Sequence, residues 1–102
     1  MDLVTRYPID AVVSVDSGRA LLDQIDDELL AVLEHRRQVS VVVQGIRRAG
    51  GGARVLYTRE NEIIQRYSQT VGSVGAELAL LVLKYCRGAA PTDRVAGMDP
   101  PP

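Results

Sequence analysis

The sequence contains no tryptophan and no phenylalanine, and it has one cysteine, one histidine and one lysine in 102 residues. Each scarcity removes a class of function. With Cys86 alone, no disulfide can form within the chain, which excludes a disulfide-dense secreted scaffold. Cys86 itself reads as a small buried apolar residue. One histidine and one cysteine speak against a zinc site, so no metal and no cofactor are expected. The four tyrosines do not interleave with a basic patch, which leaves no platform for stacking nucleic-acid bases. The net charge is only -1, so no global field attracts a polyanion or an acidic membrane surface. No apolar run approaches the ~20 residues that span a bilayer. The opening MDLVTRYPID lacks the basic-then-apolar order of a signal peptide, and the default compartment is the cytoplasm.

What is present is an ordinary soluble composition, 46% hydrophobic and 25% charged, in one domain's length. The imbalance lies within the basic residues: Lys84 is the only lysine among 12 Lys and Arg. Codon preference is one account of it. A site that needs planar, permanently charged forks for carboxylates or phosphates is the other.

Along the chain, residues 1–15 have β-branched content but are interrupted by Pro8, and they read as an extended arm or leader. Asp16 and Ser17 are N-cap types, and a helix is expected from there to about Gly50. Leu22, Ile25, Leu29, Val32, Leu33, Val39, Val43 and Ile46 recur mostly three or four residues apart. The stretch VSVVVQGI could pass for a strand alone, but the period running into it keeps it helical. Gly50, Gly51 and Gly52 end the helix. After a connector, ARVLY, Thr58 can cap a second helix to about Gln69, with Ile63, Ile64 and Tyr67 as its apolar face. VGSVG reads as a loop, and residues 76–87 form a third helix, apolar almost all round and hence largely buried. The remainder, rich in proline and without period, reads as a disordered tail. The fold class is all-α, a three-helix chain with one long first helix. The domain is 16–88, between the arm 1–15 and the tail 89–102.

The first helix carries the main geometric argument. About 34 residues at 1.5 Å each make roughly 50 Å, against a radius of gyration of about 13 Å for a compact chain of this size. Such a helix overhangs any core that two further helices can build. A two-fold dimer covers the overhang; a bent or broken helix in a monomer is the alternative. Arg36 and Arg47 are three turns apart and share a face, with Ser40, Val43 and Gln44 between them. Arg19 lies about 25 Å before Arg36 along the axis, so one chain cannot bring both to one small ligand. In an antiparallel dimer, Arg19 of one chain can approach the Arg36–Arg47 stripe of the other. Arg59 and Glu60 open the second helix, where free N–H groups and the helix dipole favour an anion or an acidic side chain.

These residues carry a resemblance. GRALLDQIDDELLAVLEHRRQVS, then GIRRAGGGARVLYTREN, then IIQRYS, resembles the all-helical chorismate mutases, in particular their short actinobacterial branch, over residues 16–88. That family has an arginine near the start of helix 1, an RR pair, a cation eleven residues on, and an Arg-Glu pair opening helix 2. Arg19, Arg36, Arg47, Arg59 and Glu60 fill those places on gapless spacing. The resemblance implies an intertwined homodimer of the type II chorismate mutase fold with two shared active sites. It implies the Claisen rearrangement of chorismate to prephenate in the biosynthesis of phenylalanine and tyrosine. This is a unimolecular reaction that needs no nucleophile or proton shuttle. By the same resemblance, Arg47 faces the breaking ether oxygen, and Arg36 and the other chain's Arg19 clamp the carboxylates. Arg59 adds positive charge near the acid groups. Glu60 receives the ring hydroxyl beside the backbone N–H of Leu56.

Two departures stand out. Helix 3 ends KYCRGAA, where some family members carry polar groups for the ether oxygen, so Arg87 is the candidate there. The actinobacterial branch ends in a short apolar-basic tail that supports an activating complex with the first enzyme of the shikimate pathway; this chain has AAPTDRVAGMDPPP instead. Sister activities on the same cationic clamp, isochorismate pyruvate lyase or an amino-deoxychorismate mutase, stay open, as does a non-catalytic dimerisation module.

Overall fold

The computed structural model describes residues 2–52 and 56–87, and among them every regular element is helical. The expected tail, 89–102, lies outside the described residues, as do residues 53–55 of the connector. The chain divides into two compact units, Met1–Glu34 and His35–Pro102. A single helix, α2 (Val15–Ala49), contributes to both.

In the first unit, the segment expected as an extended arm is instead turned and tied down. Asp2 caps a one-turn helix, α1 (Leu3–Arg6), by accepting from the Thr5 N–H at 2.9 Å. Pro8 then leads into a 3-10 turn at Ile9–Ala11. Two side chains fasten this segment to α2. Arg6 grips the Glu28 carboxylate with both guanidinium nitrogens, and the Tyr7 hydroxyl donates to Glu28 Oε1 at 2.6 Å. These bonds hold the Glu28 carboxyl below the usual carboxylate range, with the Tyr7 bond the largest cause and Arg6 next. The same bond raises the Tyr7 phenol above its ordinary value.

The start of α2 also differs from expectation. The cap is Ser14, not Asp16 or Ser17. Ser14 Oγ accepts from the Ser17 N–H at 3.0 Å, and Ser17 Oγ accepts from the Ser14 N–H at 3.0 Å. This reciprocal pair satisfies two backbone donors, as a capping box does, with serine in place of the usual glutamate.

In the second unit, α2 continues through VSVVVQGI, so the helical period there prevails over local β propensity. Its end is a Schellman turn. Gly51 takes φ 81°, the Gly51 N–H donates to Arg48 O at 3.0 Å, and the Gly52 N–H donates to Arg47 O at 2.9 Å. Helix α3 (Tyr57–Val71) has Leu56 as its N-cap, two residues before the expected cap Thr58, which lies inside the first turn, and α4 (Ser73–Cys86) follows at once. The expected five-residue loop shrinks to one residue. Gly72, at φ 78° and ψ -154°, makes the whole turn, a conformation that a side chain would strain.

Helices α3 and α4 pack through Ile63, Ala79 and Leu83, with Ile64 and Tyr67 against them. Gly75 allows the close approach: a Cβ there would lie 2.5 Å from the Tyr67 carbonyl carbon. Arg37 on α2 sits over the Tyr85 ring of α4 at 5.9 Å. The expectation that the last helix is largely buried holds for one face only. Gly75, Ala79, Val82, Leu83 and Cys86 are buried, while Leu78, Leu80 and Leu81 are exposed. On α2 no residue is buried, and Leu29, Leu30, Val42 and Ile46 are each 60% exposed or more. No described helix is long and apolar enough to cross a membrane.

Candidate functional site

A cavity of about 290 Å³ opens in the second unit, walled by the end of α2, the start of α3 and the end of α4. From α2 come Arg36, Val39, Ser40, Val43, Gln44 and Arg47, spaced by three and four residues on one stripe. From α3 come Leu56, Arg59, Glu60 and Ile63. From α4 come Leu83, Cys86 and Arg87. Four arginines and one carboxylate line the cavity, on a chain whose net charge is -1. The arrangement is a local trap for a small anion, with an apolar floor of Ile63, Leu83 and Cys86.

Each charged residue is placed by local structure. Arg47 is in the last turn of α2, where the dipole favours a cation. The Schellman turn folds back on it: a Cβ on Gly52 would lie 2.8 Å from Arg47 Cγ, so glycine there leaves the arginine stem its position. Glu60 is in the first turn of α3, where the dipole favours an acid, and its N–H donates to Leu56 O at 3.0 Å. Arg87, the C-cap of α4, donates to Glu60 Oε2 at 2.8 Å. This charge-assisted bond ties the end of one helix to the start of another and orients the carboxylate. Arg59 leans on Glu62 at a long 3.4 Å, with its side chain 55% exposed, and so belongs to the rim.

Six of the seven residues singled out from sequence therefore line one cavity: Arg36, Arg47, Leu56, Arg59, Glu60 and Arg87. Arg19 does not line it; it is an exposed residue of α2 in the first unit. Arg87, only a candidate from sequence, is the direct partner of Glu60. Spacing alone puts Ser40, Val43 and Gln44 on the stripe without assigning any of them a role. Nothing in the sequence marked Ile63, Leu83 and Cys86 as the floor, since apolar residues of a packed helix all read alike. Cys86 is 1% exposed, as expected for a buried thiol.

Comparison with known proteins gives concordant relatives. The intracellular chorismate mutase of Mycolicibacterium smegmatis is 38% identical over 80 residues, covering 78% of this chain and 77% of that protein. The intracellular chorismate mutases of Mycobacterium bovis and Mycobacterium tuberculosis are each 39% identical over 77 residues, covering 76% of this chain and 72% of theirs. No family model matches the chain, and no solved structure matches it.

Proposed function

The chain belongs to the chorismate mutase family, and we propose that its cavity binds chorismate and converts it to prephenate in the cytoplasm, toward phenylalanine and tyrosine. The observation that carries this reading is the meeting of Arg36, Arg47, Arg59, Arg87 and Glu60 around about 290 Å³. That volume suits a small compact ligand.

The chemistry asks for positioning and for charge. Chorismate carries two carboxylates, and the reaction needs its side chain folded over the ring so that the bond-forming carbons meet. Arginine forks grip carboxylates in fixed geometry and keep their charge in a desolvated site. Arg36 serves one carboxylate in this reading. The transition state moves negative charge onto the breaking ether oxygen. Arg47, held by its helix end, is the cation that meets it, and this interaction grows only as the bond breaks. Glu60, oriented by Arg87, accepts from the ring hydroxyl beside Leu56, and Arg59 closes the rim.

The cavity of one chain lacks Arg19, and in this reading a second copy supplies it. The exposed apolar residues along α2 support an intertwined homodimer. Leu22, Leu29, Leu30, Val32, Val42 and Ile46 are all more than half exposed, an apolar surface of the kind that marks a protein interface.

The test is to incubate the purified protein with chorismate, isochorismate and amino-deoxychorismate separately and to follow consumption and products. Prephenate from chorismate, without release of pyruvate, is expected. Turnover of one of the other two and none of chorismate would replace this reading with a sister activity. A rate that rises when the first enzyme of the shikimate pathway is added would identify the activating partner.

A further inference from the structure

Within the first unit, the segment before α2 meets that helix in three places. At the helix start, Ser14 and Ser17 cap each other, and the Val13 N–H also donates to Ser17 Oγ at 3.0 Å. Next along α2, Val12 lies so close to Gly18 that a Cβ there would stand 3.2 Å from Val12 Cγ1. Farther on, Arg6 Nη2 donates to Glu28 Oε2 at 2.7 Å and the Tyr7 hydroxyl to Glu28 Oε1 at 2.6 Å. Followed back from Ser14 to Arg6, the segment therefore runs along α2 from Ser17 to Glu28, roughly 17 Å of helix. Between Val15 and Leu30 the half-buried residues are Ser17, Gly18, Leu21, Ile25 and Glu28, which share the stripe it covers. At 3.6 residues per turn, Arg19 lies roughly 180° round the helix from Glu28. The segment thus backs α2 and leaves Arg19 exposed on the other side.

This end of α2 needs a backing. Arg19 is only four residues after Val15, directly behind Gly18. Glycine weakens a helix through its backbone entropy, and the amides of a first turn have no partners inside the helix. No residue of α2 is buried, so burial does not hold this end. Helix ends of this kind open locally at little cost unless something fastens them. We infer that Arg6 and Tyr7 are positioning residues for the shared active site: by clasping Glu28 they keep the turn that bears Arg19 helical and present that arginine to the second copy. Resting on the proposed sharing of Arg19, this gives the segment a task at the neighbour's cavity and none at its own. A loosely held arginine fails there through misplacement, since a shift of about 1 Å is enough to slow catalysis severely.

The experiment uses full-length chains in mixed dimers, purified through two different tags. One chain carries Arg47→Ala and keeps Arg19; the other carries Arg19→Ala and keeps Arg47. Only one site then holds both arginines. The clasp is broken by Arg6→Met together with Tyr7→Phe, placed in one chain or the other, and kcat and KM on chorismate are measured. In the chain that donates Arg19, the pair should lower kcat/KM by about three- to tenfold, as weaker fastening lets the helix end open. In the chain whose Arg19 is already alanine, it should change neither constant. Both dimers contain one clasp-broken chain, so damage to folding or assembly lowers both alike. Equal loss from either placement overturns the inference, as does loss from neither or only from the second. If the parent homodimer is active and the mixed dimer with intact clasps is not, Arg19 is not shared, and the inference falls with that reading. A parent homodimer inactive on chorismate refutes the proposed function itself, and this inference with it.

Discussion

Replacing Gly75 by alanine sets two known effects against each other. Gly75 is the third residue of α4, in its first turn, where alanine is favoured over glycine by at most about 1 kcal/mol. The structure sets the opposing effect. A Cβ at Gly75 would lie 2.5 Å from the Tyr67 carbonyl carbon and 2.8 Å from the Ser68 nitrogen, with the Tyr67 oxygen also in contact. Comfortable carbon contacts begin near 3.5 Å, so the shortfall is about 1 Å, and all three atoms are backbone. No rotamer change relieves it; α3 and α4 must separate, loosening Ile63, Ala79 and Leu83. Overpacking of this kind costs typically 1–3 kcal/mol, and a backbone clash belongs at or above the upper end. Net destabilisation by about 2 kcal/mol is expected, or roughly 8–16 °C in Tm for a domain of this size. Gly45→Ala is the matched control. It lies inside α2 with nothing within 4 Å of its Cβ, and should stabilise by about 0.5–1 kcal/mol. Thermal and urea unfolding followed by circular dichroism measure both. If Gly75→Ala stabilises as Gly45→Ala does, the close crossing of α3 and α4 is wrong. Because α3 and α4 also carry Glu60 and Arg87, Gly75→Ala should lower kcat/KM as well.

Other outcomes follow from the same geometry. Gly52→Ala places its methyl against the Arg47 stem and should lower kcat on chorismate by about tenfold or more, in keeping with the sensitivity of catalysis to small misplacements; an unchanged kcat would show that the Schellman turn does not position Arg47. The Glu28 carboxyl is depressed in the folded chain, so the stability it contributes is present above its unfolded pKa and is lost as pH falls through the folded value. The Tyr7 phenol is raised, so its contribution is present below its unfolded pKa and is lost as pH rises through the folded value. Protection of the amides of residues 2–14, measured against their intrinsic exchange rates at each pH, should therefore be greatest between these limits, and Glu28→Gln should remove the acid limb; an acid limb that persists in that variant would assign it elsewhere. Arg19→Ala and Arg47→Ala chains should each be nearly inactive, whereas mixed and exchanged dimers should regain activity at sites holding both arginines. No recovery after demonstrated exchange would refute the sharing of Arg19 between chains.

Elements with long, unbroken periodicity were legible from residues alone. The α2 helix was readable across VSVVVQGI because its three-and-four spacing ran into that stretch from the N-terminal side, and the glycine triplet announced its end. Boundaries were less legible, since they depend on which of several suitable groups wins a hydrogen bond. Ser14 prevailed over Asp16 because it could pair reciprocally with Ser17, and VGSVG closed to a single residue because Gly72 can take a conformation that no other residue holds without strain. The arm became a bound segment through Arg6, Tyr7 and Glu28, contacts more than twenty residues apart in sequence that no local pattern encodes.

For the site, the residue types and their order along the chain were set by the sequence itself: arginines in register on one helix face, and an Arg-Glu pair where a helix dipole favours the acid. Periodicity determines which side chains share a face, so this much follows from a one-dimensional pattern. Only the tertiary structure decided that α4 returns its end to the start of α3, bringing Arg87 to Glu60 across 27 residues. It alone put an apolar floor beneath the arginines. Those outcomes depend on how closely two helices cross, which here turns on the missing side chain of Gly75. The arginine excess with which the chain first draws attention thus separates into a cluster of four around one cavity, Arg19 proposed to join it from a second copy, and others, such as Arg6 and Arg37 among the described residues, that serve elsewhere.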